Sequence, residues 1–212
     1  MAIKALKHAL LTGFEPFGNP VPDDNRSWET IKQLSNECIE TDSTTVLCHC
    51  YEIPVSYGPV SELVPKLHLE HPYSIVIHCG AGVPGVVRLE KQAHKSGYTN
   101  PGNGGSADVP TDGHVPVAAD LPETLETEID VDGLRDRLIE SGWDKTEVSL
   151  DPGRYLCDFT YYTSLAEARS TYEGRGLAPP KTLFVHVPPK TEDPYSDREL
   201  AELVRQIIRF LA

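Results

Sequence analysis

Cys157 and His186 stand in the two segments of this 212-residue chain best suited to covalent chemistry. The cysteine lies in Asp-Pro-Gly-Arg-Tyr-Leu-Cys-Asp-Phe-Thr-Tyr-Tyr-Thr, residues 151–163, where a turn leads into what reads as a helix start. The histidine lies in Thr-Leu-Phe-Val-His-Val-Pro-Pro, residues 182–189, at the end of an apolar strand. A thiol becomes an effective nucleophile at neutral pH when a base or an imidazolium stands beside it. The first turn of a helix adds a positive dipole end and free amides that favour thiolate. The pair therefore suggests a cysteine hydrolase. Each residue also has an ordinary reading, as a buried apolar cysteine and a satisfied core histidine. The Val-Pro-Pro after His186 ends its strand at an edge or opening, where loops make sites.

A triad needs a carboxylate to fix the imidazole tautomer and stabilise its charged form. Glu90, in Arg-Leu-Glu-Lys, is one candidate, and Asp158 competes with it. Asp158 adjoins Cys157, but neighbours on a helix diverge by about 100°. The residues alone do not choose between these acids. A fourth feature is Thr12-Gly13-Phe14-Glu15-Pro16-Phe17-Gly18, which places two of only five phenylalanines in a turn after a strand. Aromatics there either pack into the core or line a pocket. No Lys-Ser/Thr follows the glycines, so this is no phosphate-binding loop.

These residues need elements to position them, and the periodicity alternates between strand and helix. Strands are expected at 9–12, 45–53, 74–79, 86–93, 147–150 and 182–187. Helices are expected at 27–34 with Ser27 as cap, 55–69, 131–141, 157–169 and 196–211. The last begins with Ser196 and Glu199 in capping-box spacing; Pro59 suits the first turn of its helix better than Pro65 suits the middle. Residues 168–181 read as a polar connection. Residues 95–127 carry five glycines, several prolines and scattered acids with no apolar periodicity, and read as a long loop within a single domain spanning 1–212. Strands separated by helices imply a three-layer α/β/α sandwich around a mostly parallel or mixed sheet, with the site at the carboxyl ends of the strands.

Composition sets the outer limits. Hydrophobic residues make up 39% and charged residues 24%, as in soluble globular chains, and the net charge of −13 opposes a nucleic-acid partner. No stretch approaches the ~18 apolar residues of a membrane span, and no signal-peptide run is visible, so the cytoplasm is expected. Five cysteines without a CxxC pair fit a reducing compartment better than a disulfide framework. His49 and His78 lie among the cysteines, but no spacing matches a known zinc site type, and neither metal nor cofactor is called for.

Four blocks of the sequence resemble the pyroglutamyl-peptidase I family of cysteine peptidases. They are the Thr-Gly-Phe-Glu-Pro-Phe-Gly turn, Ser27-Trp28, Leu89-Glu90-Lys91, and the run from Gly153 through Leu165 with the later Phe-Val-His-Val-Pro-Pro. Their order and spacing extend from Thr12 to Pro189, and the 153–165 block is most similar to the animal members. The resemblance implies an α/β/α sandwich and a Glu90–Cys157–His186 triad acting on N-terminal pyroglutamyl peptides. It implies that Phe14 and Phe17 flank the lactam ring, that Tyr155 and Leu156 close the pocket, and that Ala81 supplies a backbone contact. The chain departs from the family in having Asn25-Arg26-Ser27-Trp28 where Asn-Pro-Ser-Trp is usual. Bacterial members carry an arginine after the glutamate. None occurs here between Arg88 and Arg135, leaving the Cys157 amide as the oxyanion donor. A homo-oligomer is compatible with this reading. Two alternatives remain open: another cysteine or thioester hydrolase on the same scaffold, and a catalytically weak module that binds cyclised N-termini.

Overall fold

The apolar runs at residues 9–12, 75–79 and 183–187 sit side by side in the middle of one sheet because both of their faces are covered. The computed structural model describes residues 4–117, 120–190 and 195–212. In chain order the elements are β1 (Ala5–Phe14), α1 (Arg26–Ile31), β2 (Cys38–Glu40), β3 (Thr44–Ile53), α2 (Tyr57–Glu70), β4 (Ile75–Ala81), β5 (Val87–Glu90), β6 (Gln92–His94), β7 (Thr124–Glu126), α3 (Val131–Glu140), β8 (Thr146–Ser149), α4 (Leu156–Gly174), β9 (Lys181–Val187) and α5 (Asp197–Leu211).

Seven strands form the sheet in the order β2-β3-β1-β4-β9-β5-β8. The β3, β1, β4 and β9 neighbours run parallel, while β5 lies antiparallel to β9 and β2 antiparallel to β3. The sheet is therefore mixed, as expected. Strand alternation divides the core in two. Ala9, Leu11, Ile75, Ile77, Cys79, Leu183 and Val185 pack with α1, α3 and α5, whereas Leu10, Val76 and Phe184 pack with α2 and α4. This is the three-layer α/β/α architecture. No helix among the described residues is long and apolar enough to cross a membrane.

Several boundaries differ from the sequence expectation. Asn25, not Ser27, caps α1: its Oδ1 accepts from the Ser27 amide at 3.0 Å. Helix α2 runs through Pro65 because burial of Val60, Val64 and Leu67 holds it together despite the missing amide. The single strand expected at 86–93 breaks at Lys91 into β5 and β6. Helix α4 continues to Gly174, five residues beyond the expected helix end, because its own Tyr172 is fully buried. The capping box on α5 forms as expected, with Ser196 Oγ accepting from the Glu199 amide and Glu199 Oε2 accepting from the Ser196 amide.

The segment 95–127 is not a bare loop. It contains two 3-10 turns (Ser106–Asp108 and Thr111–Gly113) and β7, which pairs antiparallel with β6. Tyr98, Val115 and Leu125 anchor it in the α2/α4 core, at spacings that match neither helical nor strand periodicity. Asp108 fastens it to the start of α2, accepting from Ser56 Oγ, the Tyr57 amide and the Gly58 amide at 2.7, 2.6 and 2.9 Å. An acid at a helix N-terminus satisfies orphan amides and opposes the dipole, and here it comes from about 50 residues away.

Candidate active site

The site forms where β9, antiparallel to β5, also runs beside β4. His186 pairs with Gly80 on one side and Arg88 on the other, and Glu90 is diagonal to it on the same face. Glu90 Oε1 lies 2.7 Å from His186 Nδ1, and both side chains are buried. With Nδ1 donating to the carboxylate, Nε2 is left for the thiol, and Cys157 is close enough to act electrostatically on the imidazole. Burial pulls the His186 pKa down, but Cys157 and then Glu90 outweigh it and raise it to about 10. The arrangement favours the charged imidazolium beside Cys157.

Cys157 is the second residue of α4, among amides without intrahelical acceptors. The approach needs a sharp reversal, and Gly153 supplies it at φ +80°, a conformation that favours glycine. Asp151 Oδ1 accepts from the Gly153 amide at 3.1 Å and from Arg154 at 2.7 Å, fixing the turn. Arg154 also reaches Asp158 Oδ2 at 3.1 Å. The other cysteines differ in setting: burial pushes the Cys48 thiol up to about 12 and raises Cys50 and Cys79 as well. All five cysteines are free.

Asp158 is engaged by His94 and Arg154. Its buried carboxylate accepts from the His94 amide at 2.9 Å and lies 3.2 Å from His94 Nδ1. The structure thus separates the two acids that the sequence left in competition.

The expected pocket residues divide into two groups. Phe14, only 3% exposed, ends β1 and packs near Phe184, with ring centroids 6.4 Å apart. Phe17 is half-buried and meets Tyr155 at 5.9 Å, joining the aromatic turn to the cysteine turn. Leu156 is buried in the α2/α4 core. Phe17 and Ala81 line a cavity of about 420 Å³ with Pro22, Asn25, Pro189 and Lys190 among its other walls. The turn is braced from outside: Glu15 Oε1 accepts from the Val55 amide and from Asn103 Nδ2, which also donates to the Pro16 carbonyl. The cavity, the braced aromatic turn and the thiol occupy one end of the sheet.

The family profile for pyroglutamyl peptidase matches residues 7–200. The chain is 38% identical to pyroglutamyl-peptidase 1 of Mus musculus over 208 residues, covering 95% of this chain and 88% of the mouse protein. It is 31% identical to a pyrrolidone-carboxylate peptidase of Thermococcus kodakarensis, over 84% of this chain and 80% of that one. The crystal structure of pyrrolidone carboxyl peptidase from Fervidobacterium islandicum superposes with a TM-score of 0.78 at 27% identity, covering 97% of this chain and 98% of that one. The chain belongs to the pyroglutamyl peptidase family.

Within that family its departures have visible consequences. Arg26 occupies the first position of α1, where proline would be favourable. Its Nε pairs with Asp197 at 2.8 Å and its guanidinium donates to the Tyr195 carbonyl, tying α1 to the start of α5. Sequence reasoning missed the steric role of Gly80 and Gly82. A Cβ on Gly80 would lie 2.9 Å from Cys157 Sγ, and one on Gly82 would lie 2.8 Å from His186 Cβ. The glycine-rich turn after Cys79 was the available signal, but only the fold shows which glycines face the thiol and imidazole.

Proposed function

We propose that this pyroglutamyl peptidase cleaves the bond after an N-terminal pyroglutamyl residue by covalent catalysis on Cys157, with His186 as base and acid and Glu90 as its orienting carboxylate. The observation that carries the assignment is the 2.7 Å contact of the buried Glu90 carboxylate with His186, an imidazole on which the helix-start Cys157 also acts. The lactam has no ammonium group, so a pocket near the Phe14–Phe17 turn accepts it at low desolvation cost and disfavours an ordinary charged N-terminus. Phe17, Tyr155 and Ala81 contact the ring, while Phe14 and Leu156 support that wall from the core.

The Cys157 thiolate attacks the carbonyl carbon of the pyroglutamyl residue. Negative charge develops on the carbonyl oxygen, and the Cys157 amide in the open first turn of α4 donates to it. The intermediate collapses to a thioester as His186 protonates the departing amine. His186 then takes a proton from water, hydroxide adds to the thioester carbonyl, and pyroglutamate leaves as the thiolate is restored. Glu90 accepts from Nδ1 and stabilises the imidazolium in both halves.

The test is release of a reporter amine from a pyroglutamyl amide, beside matched glutaminyl and prolyl amides. The pyroglutamyl substrate should be strongly preferred, and Cys157→Ala should abolish turnover. Comparable turnover by Cys157→Ala would remove the nucleophile assignment. Equal rates on all three amides would favour a broader cysteine hydrolase.

A further inference from the structure

A second group of side chains capable of binding chemistry lies at the opposite end of the sheet from Cys157. His8 on β1, His49 on β3 and His71, immediately after α2, each place a ring nitrogen within 4.8 Å of the others. His8 Nδ1 and His49 Nε2 are 2.9 Å apart. The His49 and His71 ring centroids are 4.3 Å apart, and those of His8 and His71 5.0 Å. The register produces this meeting: His8 pairs with Leu47 and Leu10 with His49, so the two histidines are diagonal neighbours on the α2 face. His8 precedes Phe14 by six residues, which separates the cluster from the catalytic end by roughly 20 Å at ~3.3 Å per residue.

The surroundings suit neutral imidazoles. Burial, with the charge of His71, lowers the His8 pKa; burial, His71 and His8 lower that of His49, against an upward pull from Glu70. Glu70 accepts a hydrogen bond from the Tyr51 hydroxyl. Tyr73 meets His49 and His71 edge-on at 5.7 and 5.6 Å. Three half-buried bases gathered at one point repel one another when protonated and offer convergent lone pairs when neutral.

We propose that His8, His49 and His71 form a divalent transition-metal site that takes zinc, with water completing the coordination. Three imidazoles and an open position are an established donor set for this ion, and imidazole also suits copper and nickel. Zn–N bonds of ~2.0–2.1 Å place tetrahedral ligand atoms about 3.3 Å apart. The His8–His49 separation is already close to this value, and rotation of the half-buried His71 ring closes the third side. Bound metal would clamp β1, β3 and the end of α2, away from the peptidase chemistry.

The experiment is calorimetric titration with zinc chloride of the full chain carrying Cys157→Ala and Cys38→Ser, which removes the catalytic and the exposed thiol. One zinc should bind per chain and raise the melting temperature. His71→Ala and His49→Gln should each weaken binding at least about tenfold. His71→Ala in the thiol-intact chain should keep normal peptidase activity, showing that the fold is preserved. Absence of binding up to about 1 mM zinc, or equal affinity in folded His71→Ala and His49→Gln chains, would overturn the site.

Discussion

Glu90 and His186 meet as diagonal neighbours across the antiparallel β5–β9 pair, with Oε1 2.7 Å from Nδ1. On one face of such a pair, residues offset by two positions remain within reach of long side chains. A slip of one residue would turn the carboxylate to the opposite face. The strand register therefore sets the imidazole orientation directly. Glu90→Gln keeps an acceptor oxygen but removes the charge. It should lower kcat by about 10²–10⁴ with little change in the far-ultraviolet circular dichroism spectrum. An unchanged kcat in a folded variant would mean that Glu90 is structural.

The same contact predicts a pH effect. The His186 pKa is raised to about 10, so its folded state holds a proton that the unfolded chain releases above the ordinary 6.5. The associated stabilisation is fully present below 6.5 and is lost as pH rises through about 10. Cys157→Ala removes the largest upward influences and should move the His186 titration down, read by proton NMR of the imidazole. An identical titration in both proteins would separate the thiol from the histidine.

Asp158 should behave differently. Burial raises its pKa from 3.8 to about 7, against the hydrogen bond from the His94 amide and the charge of Arg154. Its protonated form therefore favours folding below 3.8, and that contribution is lost as pH rises through about 7. Urea unfolding should show a smaller decline in stability across this window for Asp158→Asn than for the unaltered chain. Its loss in kcat should be smaller than that of Glu90→Gln. The reverse kinetic ranking would move the third triad role to Asp158.

Phe14 and Phe17 should part company when truncated. Phe14→Ala opens a hole beside Phe184 and should destabilise the fold by ~3–5 kcal/mol. Phe17→Ala removes a half-buried wall against Tyr155 and should reduce kcat/KM by about ten- to a hundredfold while moving the melting temperature less. Paired kinetics and melts distinguish the outcomes. Normal kcat/KM in Phe17→Ala would place lactam recognition elsewhere.

Much of this arrangement was legible because chemistry and periodicity coincided. The Cys157 turn preceded a helical pattern, and His186 ended an apolar strand before two prolines. Glu90 was not distinguishable locally, since its role depends on a diagonal contact made by strands nearly 100 residues apart. The 95–127 segment was misread for a related reason: Tyr98, Val115 and Leu125 are anchors in a distant core, without local periodicity. The His8–His49–His71 cluster was equally hidden, because parallel register and a helix end bring its members together.

Gly80 tests how closely the site is packed. An added Cβ would lie 2.9 Å from Cys157 Sγ and 2.9 Å from Phe184 Cζ, closer than ordinary contact allows. Phe184 has little freedom to yield: its ring packs near Phe14, Tyr161 and His186, with the His186 centroid at 4.8 Å. The thiol must therefore be displaced from the imidazole in Gly80→Ala. Misplacement by about 1 Å can cost on the order of 10²-fold in rate, so kcat/KM should fall at least that far. Iodoacetamide labelling of Cys157 should slow in parallel. Gly174→Ala is the matched control, because nothing lies within 4 Å of its added Cβ and α4 ends there. The control should retain activity and stability. A folded Gly80→Ala protein with normal labelling and turnover would show that the thiol has another productive position, and that Gly80 does not set the distance between Cys157 and His186.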